Sequence, residues 1–310
     1  MSHPSFFLIG AARSGTTALA EILRRHPEIF VTHPKEPHFL AFAGRTVRFS
    51  GPGDDTSINR VAVTDEADYL RLYEHAGSKP ARGDASVSTL YYPQQSLETL
   101  ERLFPAARLV VILRNPTDRA FSNYQYLRTK GFESCPDFRQ ALELEDERMA
   151  KGWHHLWHYK KMGFYGHQLT QFVERLGYDR LLVLFYDHFN DQPHETIRHI
   201  FRFLDVDPDA PIQGEQRINV SGSVRNRSLQ TLIQAGSRHH YIKTVIRILV
   251  PYRIRERIRA ANLREAQLPQ DTRLHLDRLY EDDLIKLKRL VEMLHPSHRQ
   301  PLPKWLTSRQ

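Results

Sequence analysis

The stretch Phe6-Phe7-Leu8-Ile9-Gly10-Ala11-Ala12-Arg13-Ser14-Gly15-Thr16-Thr17-Ala18-Leu19 constrains this chain more than any other. A short apolar run meets a glycine-bounded loop, and that loop runs straight into a helical pattern. The pattern predicts a strand over residues 5–10 and a helix over 15–26, with Ala18, Leu19, Ile22 and Leu23 on one face. A strand that feeds a helix through a tight glycine loop turns loop amides and the helix N-terminus toward one point, where an anion is stabilised. Such a unit belongs in a parallel sheet, because parallel strands are joined by helical crossovers.

The rest of the chain repeats the alternation. Ile29-Phe30-Val31, residues 82–86, Arg108–Leu113 and Leu181–Phe185 read as strands. Helical patterns cover 65–76, 94–103, 137–151, 163–176 and 193–204, and Pro116 opens another helix. The Gly/Pro/Asp-rich interval 44–59 reads as a surface loop. From 225 onward the sequence is helical and heavily charged. These features predict one α/β domain of 310 residues: a three-layer, P-loop-like fold whose central parallel sheet is flanked by helices over 1–223, with a helical C-terminal extension over 224–310.

The first loop is nearly a nucleotide-binding P-loop, G-x-x-x-x-G-K-[ST], and departs from it at the decisive position. Gly10 and Gly15 keep the spacing, but Thr16 stands where a lysine would reach a terminal phosphate, and the cation Arg13 lies inside the loop. A triphosphate is poorly served by that arrangement, although a kinase or other nucleotide triphosphatase remains the rival reading. A second anion site follows the run Arg108–Leu113, which delivers Arg114 to the end of a buried strand, where open α/β sheets bind ligands. Asn115-Pro116 starts the next helix, and Ser122 falls about two turns into it. A guanidinium fork pairs with phosphate oxygens, and a hydroxyl adds a neutral donor. Two anion sites on one sheet suit a nucleoside carrying phosphates at both ends.

Arg13-Ser14-Gly15-Thr16-Thr17 resembles the 5′-phosphosulfate loop of the sulfotransferases that use 3′-phosphoadenosine 5′-phosphosulfate (PAPS). The segment from Leu113 to Tyr124 is similar to their second signature, R-[DN]-P-x-x-R-x-x-S. Lys35-Glu36-Pro37-His38-Phe39-Leu40 is similar to the K-E-P-x-F-[FL] segment of the bacterial and carbohydrate, heparan-sulfate-type branch. The resemblance implies in-line sulfuryl transfer from PAPS to a hydroxyl or amine of a carbohydrate, lipid or small-molecule acceptor. Adenosine 3′,5′-bisphosphate (PAP) would be the product, and no metal is required. Arg13, Ser14, Gly15, Thr16 and Thr17 would hold the 5′ end, Arg114 and Ser122 the 3′-phosphate, and Tyr186 would lie by the adenine. Arg225 or Arg227, in the polar segment 219–227, would cover the 3′-phosphate. Arg119 is expected in a structural salt bridge.

For catalysis the resemblance implies Glu36 as general base, taking the acceptor proton as oxygen attacks sulfur. Arg13 would stabilise charge on the departing phosphate. Lys35 would steady the sulfuryl oxygens or neutralise Glu36. His38 is the competing base, since the phenol and steroid branch uses a histidine after its equivalent strand. The segment from Gly83 to Tyr91 is like the family's G-[ED]-x-[ST]-P-x-Y, with Val87 in place of proline; it would bring Ser86 near the transferred group and let Asp84 orient a cation. Gly163 to Leu169 resembles a family helix start, and Lys304-Trp305-Leu306 is expected to pack back on the domain.

Composition narrows the partners. A net charge of +8 favours anions without choosing among them. Cys135 is the only cysteine, which excludes an intrachain disulfide framework and a cysteine-rich metal site. His154, His155 and His158, and the pair His239-His240, lack zinc-site spacing, so no metal is expected. No nucleic-acid motif is present, and the dispersed basic residues leave a non-catalytic binder of acidic polymers as the second rival. Arginines among Ile, Val and Leu over 238–265 are compatible with peripheral membrane contact. No apolar run is long enough to predict a spanning helix. The start Met1-Ser2-His3-Pro4, entering a strand at once, predicts a protein of the reducing cytoplasm.

Overall fold

In a computed structural model, which describes residues 3–211 and 267–308, the apolar runs form β1 (Phe6–Gly10), β2 (Ile29–Val31), β3 (Ala81–Ala85), β4 (Arg108–Leu113) and β5 (Leu181–Phe185). Every residue of β1 and β5 is buried, and so is every residue of β4 after Arg108. Successive side chains of a strand face opposite sides of a sheet, so these unbroken apolar runs mean that both faces are covered. The strands are all parallel and lie in the order β2-β3-β1-β4-β5. Phe6 pairs with Gly83 on one side and with Arg108 on the other. From β1 the chain passes to the edge strand β2, returns to place β3 between β2 and β1, then crosses β1 to build β4 and β5. That reversal opens a crevice at the carboxyl ends of β1 and β4, where ligands bind in sheets of this kind.

Most predicted helices form, with altered ends. Helix Thr16–Arg24 follows β1, and helix Pro116–Lys130 follows β4. The segment 65–76 divides into helix Glu66–Arg71 and a 3₁₀ turn, Glu74–Ala76. The single helix expected over 137–151 is two, Phe138–Glu143 and Glu145–Ala150. The break turns Glu145 inward, where its buried carboxylate accepts hydrogen bonds from the Lys160 and Lys161 amides. The interval 44–59 is less open than its composition implies, because Ile58–Val61 forms a short helix with Ile58 buried.

Residues 3–211 and 270–308 belong to one compact unit. Helix Tyr165–Leu176 buries Leu169, Phe172 and Val173, each worth roughly 1.5–3 kcal/mol. Its first turn is capped from the far end of the chain: the Asp283 carboxylate accepts from the Gly166 amide at 2.8 Å and from the His167 amide at 2.7 Å. The approach is close enough that a Cβ on Gly166 would meet the Asp283 carbonyl oxygen at 2.3 Å. The tail also returns to the sheet. The Gln300 side chain accepts from the Phe185 amide at 2.8 Å, and Trp305 Nε1 donates to Asp187 at 3.0 Å. The helical pattern expected from 225 to about 265 lies outside the described residues, as do Arg225, Arg227 and the pair His239-His240.

Candidate active site

The loop after β1 ends at Gly15, whose φ of 90° is left-handed and favours glycine. A Cβ at this position would also meet Phe189 and Tyr186 ring carbons, each at 3.3 Å. No side chain caps helix Thr16–Arg24, and the first amides of any helix lack intrahelical acceptors. The loop therefore offers an anion a partial positive charge from amides and dipole together. Ser14 and Thr16 are buried in it, while Thr17 is exposed. Arg13 also has a left-handed backbone, with φ 66°. Its guanidinium lies over the Tyr126 ring at 4.6 Å, and its Nε reaches Ser122 Oγ at 3.5 Å.

The second motif meets the first at this point. Asn115 caps helix Pro116–Lys130, accepting from the Thr117 and Asp118 amides at 3.0 and 3.2 Å. That cap fixes the strand end from which Arg114 projects. Arg114 donates to the Arg13 carbonyl at 3.3 Å and lies over the Tyr186 ring at 5.0 Å. Loop, strand end and Tyr186 thus form one contiguous group. Tyr165 closes it from below: burial pushes its hydroxyl up to about 12, against the pull of Arg119, Arg114 and the Ser14 hydroxyl. Arg119 departs from expectation. It is fully buried and donates to the Tyr159 carbonyl and to Met162 sulfur, with no salt bridge among the described residues, because the turn packed on it presents those groups.

The segment after β2 carries the candidate acid–base groups. Lys35 and Glu36 form an ion pair, and His38 Nε2 lies 3.7 Å from the Glu36 carboxylate. Burial alone would raise the Glu36 carboxyl, but the Lys35 ammonium, and after it the His38 ring, outweigh that and hold it below the ordinary carboxylate value. Burial pushes the His38 ring down to about 4, with Glu36 pulling the other way. The ring is therefore neutral at pH 7, and its Nδ1 is paired with Ser88 Oγ at 2.8 Å. Ser86, expected near the transferred group, receives the His38 amide at 3.1 Å and so shapes this turn. Asp84, expected to orient a cation, accepts from the Tyr69 hydroxyl at 2.6 Å; burial raises it to about 6, and Lys35 is among the groups that moderate the rise.

Arg13, Glu36 and His38 are three of the four non-glycine residues with left-handed backbone among the described residues. Such a conformation costs on the order of 1–3 kcal/mol and persists where surroundings over-determine it. All three line one cavity of about 300 Å³, together with Thr16, Thr17 and Tyr126. His154 and His155, which sequence reasoning weighed only as metal ligands, line it as well. Tyr126 and Asp54 were not singled out at all. Asp54 is fully buried and pairs with His154 Nδ1 at 2.7 Å. His158 faces elsewhere, toward the Tyr91 hydroxyl and the Trp153 carbonyl.

A parallel sheet of this order, with an uncapped helix N-terminus and two guanidinium groups at its carboxyl edge, defines an α/β protein of P-loop-like architecture. The chain belongs to the sulfotransferase family, whose profile matches residues 4–210. Carbohydrate sulfotransferase 15 of Mus musculus is 25% identical over 254 residues, covering 66% of this chain and 44% of that protein. Bifunctional heparan sulfate N-deacetylase/N-sulfotransferase 3 of Mus musculus is 22% identical over 316 residues, 98% of this chain and 31% of that protein. The chain thus spans less than half the length of these curated relatives. A sulfotransferase structure from Alicyclobacillus acidocaldarius is similar throughout, with a TM-score of 0.73 at 27% identity, covering 98% of this chain and 99% of that one. No helix among the described residues is long and apolar enough to cross a membrane.

Proposed function

We propose that this protein is a PAPS-dependent sulfotransferase acting on a hydroxyl or amine acceptor. The observation that carries the reading is Arg13. Its backbone closes the anion-binding loop, its carbonyl is held by Arg114, and its side chain reaches Ser122 while lining the cavity of Glu36. One residue thereby links the expected 5′ site, the expected 3′ site and the candidate base.

In this reading the loop amides, Ser14, Gly15, Thr16 and Thr17 hold the 5′-phosphosulfate. Arg114 and Ser122 hold the 3′-phosphate, and Tyr186, already stacked on Arg114, borders the nucleoside. Arg225 is the further candidate over the 3′-phosphate, from sequence alone. The donor, when bound, supplies a sulfuryl group on a good phosphate leaving group. Glu36 takes the proton from the acceptor while the acceptor's oxygen or nitrogen bonds to sulfur. The bond between sulfur and the bridging oxygen breaks, and Arg13 stabilises the charge left on the phosphate. Lys35 keeps Glu36 ionised and ready to receive the proton. Glu36 takes this role on the match of Lys35-Glu36-Pro37 to the family segment, and His38, neutral with Nδ1 on Ser88, is the competing base.

Titration calorimetry with PAP and with ATP tests the donor site. PAP is expected to bind more tightly, whereas tighter ATP binding would return the protein to the kinase or triphosphatase reading. Transfer of ³⁵S from labelled PAPS to a panel of glycan, lipid and phenolic acceptors tests the reaction itself. Salt-sensitive polymer binding with no transfer to any of them would favour a non-catalytic role.

A further inference from the structure

The cavity is lined by a second group of residues, Ile58, Val61, Val87, His154, His155 and Leu156, that donor chemistry leaves unused. Asp54 anchors it. This fully buried carboxylate accepts from the Gly51 amide at 2.8 Å, the His154 amide at 3.2 Å and Trp157 Nε1 at 3.3 Å, and His154 Nδ1 lies 2.7 Å from it as an ion-pair contact. Burial would raise the Asp54 carboxyl, but the His154 ring and the two amides hold it below its ordinary value. The His154 ring, held beside Asp54 with Nδ1 2.7 Å from the carboxylate, is one of the polar groups lining the cavity. His155 lies beside it, ring centroids 5.2 Å apart, and in turn 5.9 Å from the His38 ring. His155 is buried, and its Nδ1 has no hydrogen-bond partner among the described residues.

Apolar side chains surround these two rings: Ile58, Val61, Val87 and Leu156 line the same space. Ile58 and Val87 are buried, while Val61 is 37% exposed at the edge. Arg13 is the only Lys or Arg among the lining residues described, and it belongs to the donor site. Among the described residues this wall offers a polyanionic glycan no further cation. At about 300 Å³ the space is at the small end of ligand clefts.

We propose that this wall is the acceptor subsite, and that the acceptor is a small alcohol or phenol with an apolar body, positioned by a hydrogen bond to His154. The proposal rests on the sulfuryl-transfer reading and names its substrate class. The apolar body packs on Ile58, Val61, Val87 and Leu156, and the reacting hydroxyl lies between Glu36 and Arg13. Its oxygen bonds to the sulfur of PAPS, its proton passes to Glu36, and PAP departs with the bridging oxygen.

The test uses the full-length protein with ³⁵S-labelled PAPS and three probes: 1-octanol, 4-nitrophenol and the polysaccharide heparosan. Labelled organic sulfate is expected from octanol or nitrophenol and not from heparosan. His154→Gln is expected to raise KM for the productive probe about tenfold, the loss of one good hydrogen bond, with KM for PAPS and Kd for PAP within about twofold. Val61→Asp, at the exposed edge, is expected to lower kcat/KM for that probe by a similar factor at unchanged melting temperature. Sulfation of heparosan alone overturns the proposal, as does a His154→Gln variant whose acceptor KM is unchanged. A protein that binds PAP yet sulfates neither alcohol also overturns it, while leaving the sulfuryl-transfer reading in place. Failure to bind PAP is the separate result that removes that reading.

Discussion

Mild acid should destabilise this protein well before most carboxylates titrate, and the buried histidines set the size of the effect. Burial is the largest cause in both His38 and His158, and it pushes each ring from 6.5 to about 4. Between those values the unfolded chain binds a proton on each ring and the folded protein does not. Stability is therefore complete above pH 6.5, falls as pH drops below it, and goes on falling to about pH 4. At pH 5 each ring accounts for ~2 kcal/mol relative to pH 8. His155, pushed well below its ordinary value by burial, acts in the same direction. Asp84 opposes them. Its buried carboxyl is raised from 3.8 to about 6, so the folded state takes up that proton first and recovers ~1.4 kcal/mol at pH 5. Glu36, held below 4.5, enters only under that pH.

The histidines and Asp84 together give a loss on the order of 3 kcal/mol at pH 5, an upper figure because burial also raises the Glu145 and Asp283 carboxyls, and it lowers the melting temperature of a domain this large by at most roughly 6–12 °C. Circular dichroism melts at pH 8.0, 6.5 and 5.0 and constant ionic strength measure it directly. His158→Gln should flatten the pH dependence by ~2 kcal/mol, since it removes one of the two rings. A melting temperature constant to about 2 °C across that range would sink the assignment of neutral, buried imidazoles. The neutral state of His38 would then lose its footing, because it depends on the same burial.

The remaining predictions concern the donor site and the base. Arg114→Ala removes a charge-assisted contact worth ~1.5–3 kcal/mol, so calorimetry should show PAP affinity weakened about 10- to 100-fold; unchanged affinity would remove Arg114 from the site. Glu36→Gln should cut kcat by ~10²–10⁴ while leaving the Kd for PAP nearly unchanged, and full turnover would pass the role to His38. Gly15→Ala places a methyl group at left-handed φ against Phe189 and Tyr186, so a stability loss of ~1–2 kcal/mol and weaker PAP binding are expected together. A fully stable, fully binding alanine variant would contradict the local geometry.

The sheet was legible because its strands are covered on both faces, so that Leu109–Leu113 and Leu181–Phe185 carry their burial in unbroken apolar runs. The two donor motifs were legible because each is local: a loop with its own helix, and a strand end with its own Asn115 cap. Contacts that bridge distant segments left no such mark. Asp54 and His154 stand 100 residues apart, in a stretch that read as open loop and in a histidine cluster weighed for metal. The break after Glu143 was equally hidden, because it depends on Glu145 meeting amides of residues 160 and 161. Arg119 shows the same limit. Its sequence position implied an acid partner, and its burial against Tyr159 and Met162 supplied a carbonyl and a sulfur.

Backbone strain gives a further reason to read Arg13, Glu36 and His38 as a working set. The fourth left-handed residue, Asp205, lies just beyond helix Pro193–Phe203 and is paired with Arg108 away from the cavity. Positive φ alone therefore does not mark a site. The other three differ because Arg13 and His38 are pinned by groups from another strand end and Glu36 by its neighbour on the same turn. Arg114, after β4, holds the Arg13 carbonyl, while Ser86 and Ser88, after β3, hold the His38 amide and ring. Lys35, His38's neighbour on the same turn, fixes the charge of Glu36. The cost of order 1–3 kcal/mol per residue is thus met by contacts at the carboxyl edge of one rigid sheet. That arrangement aims a cation, a carboxylate and a neutral imidazole into one small cavity before any ligand arrives, which is the pre-organisation that in-line group transfer demands.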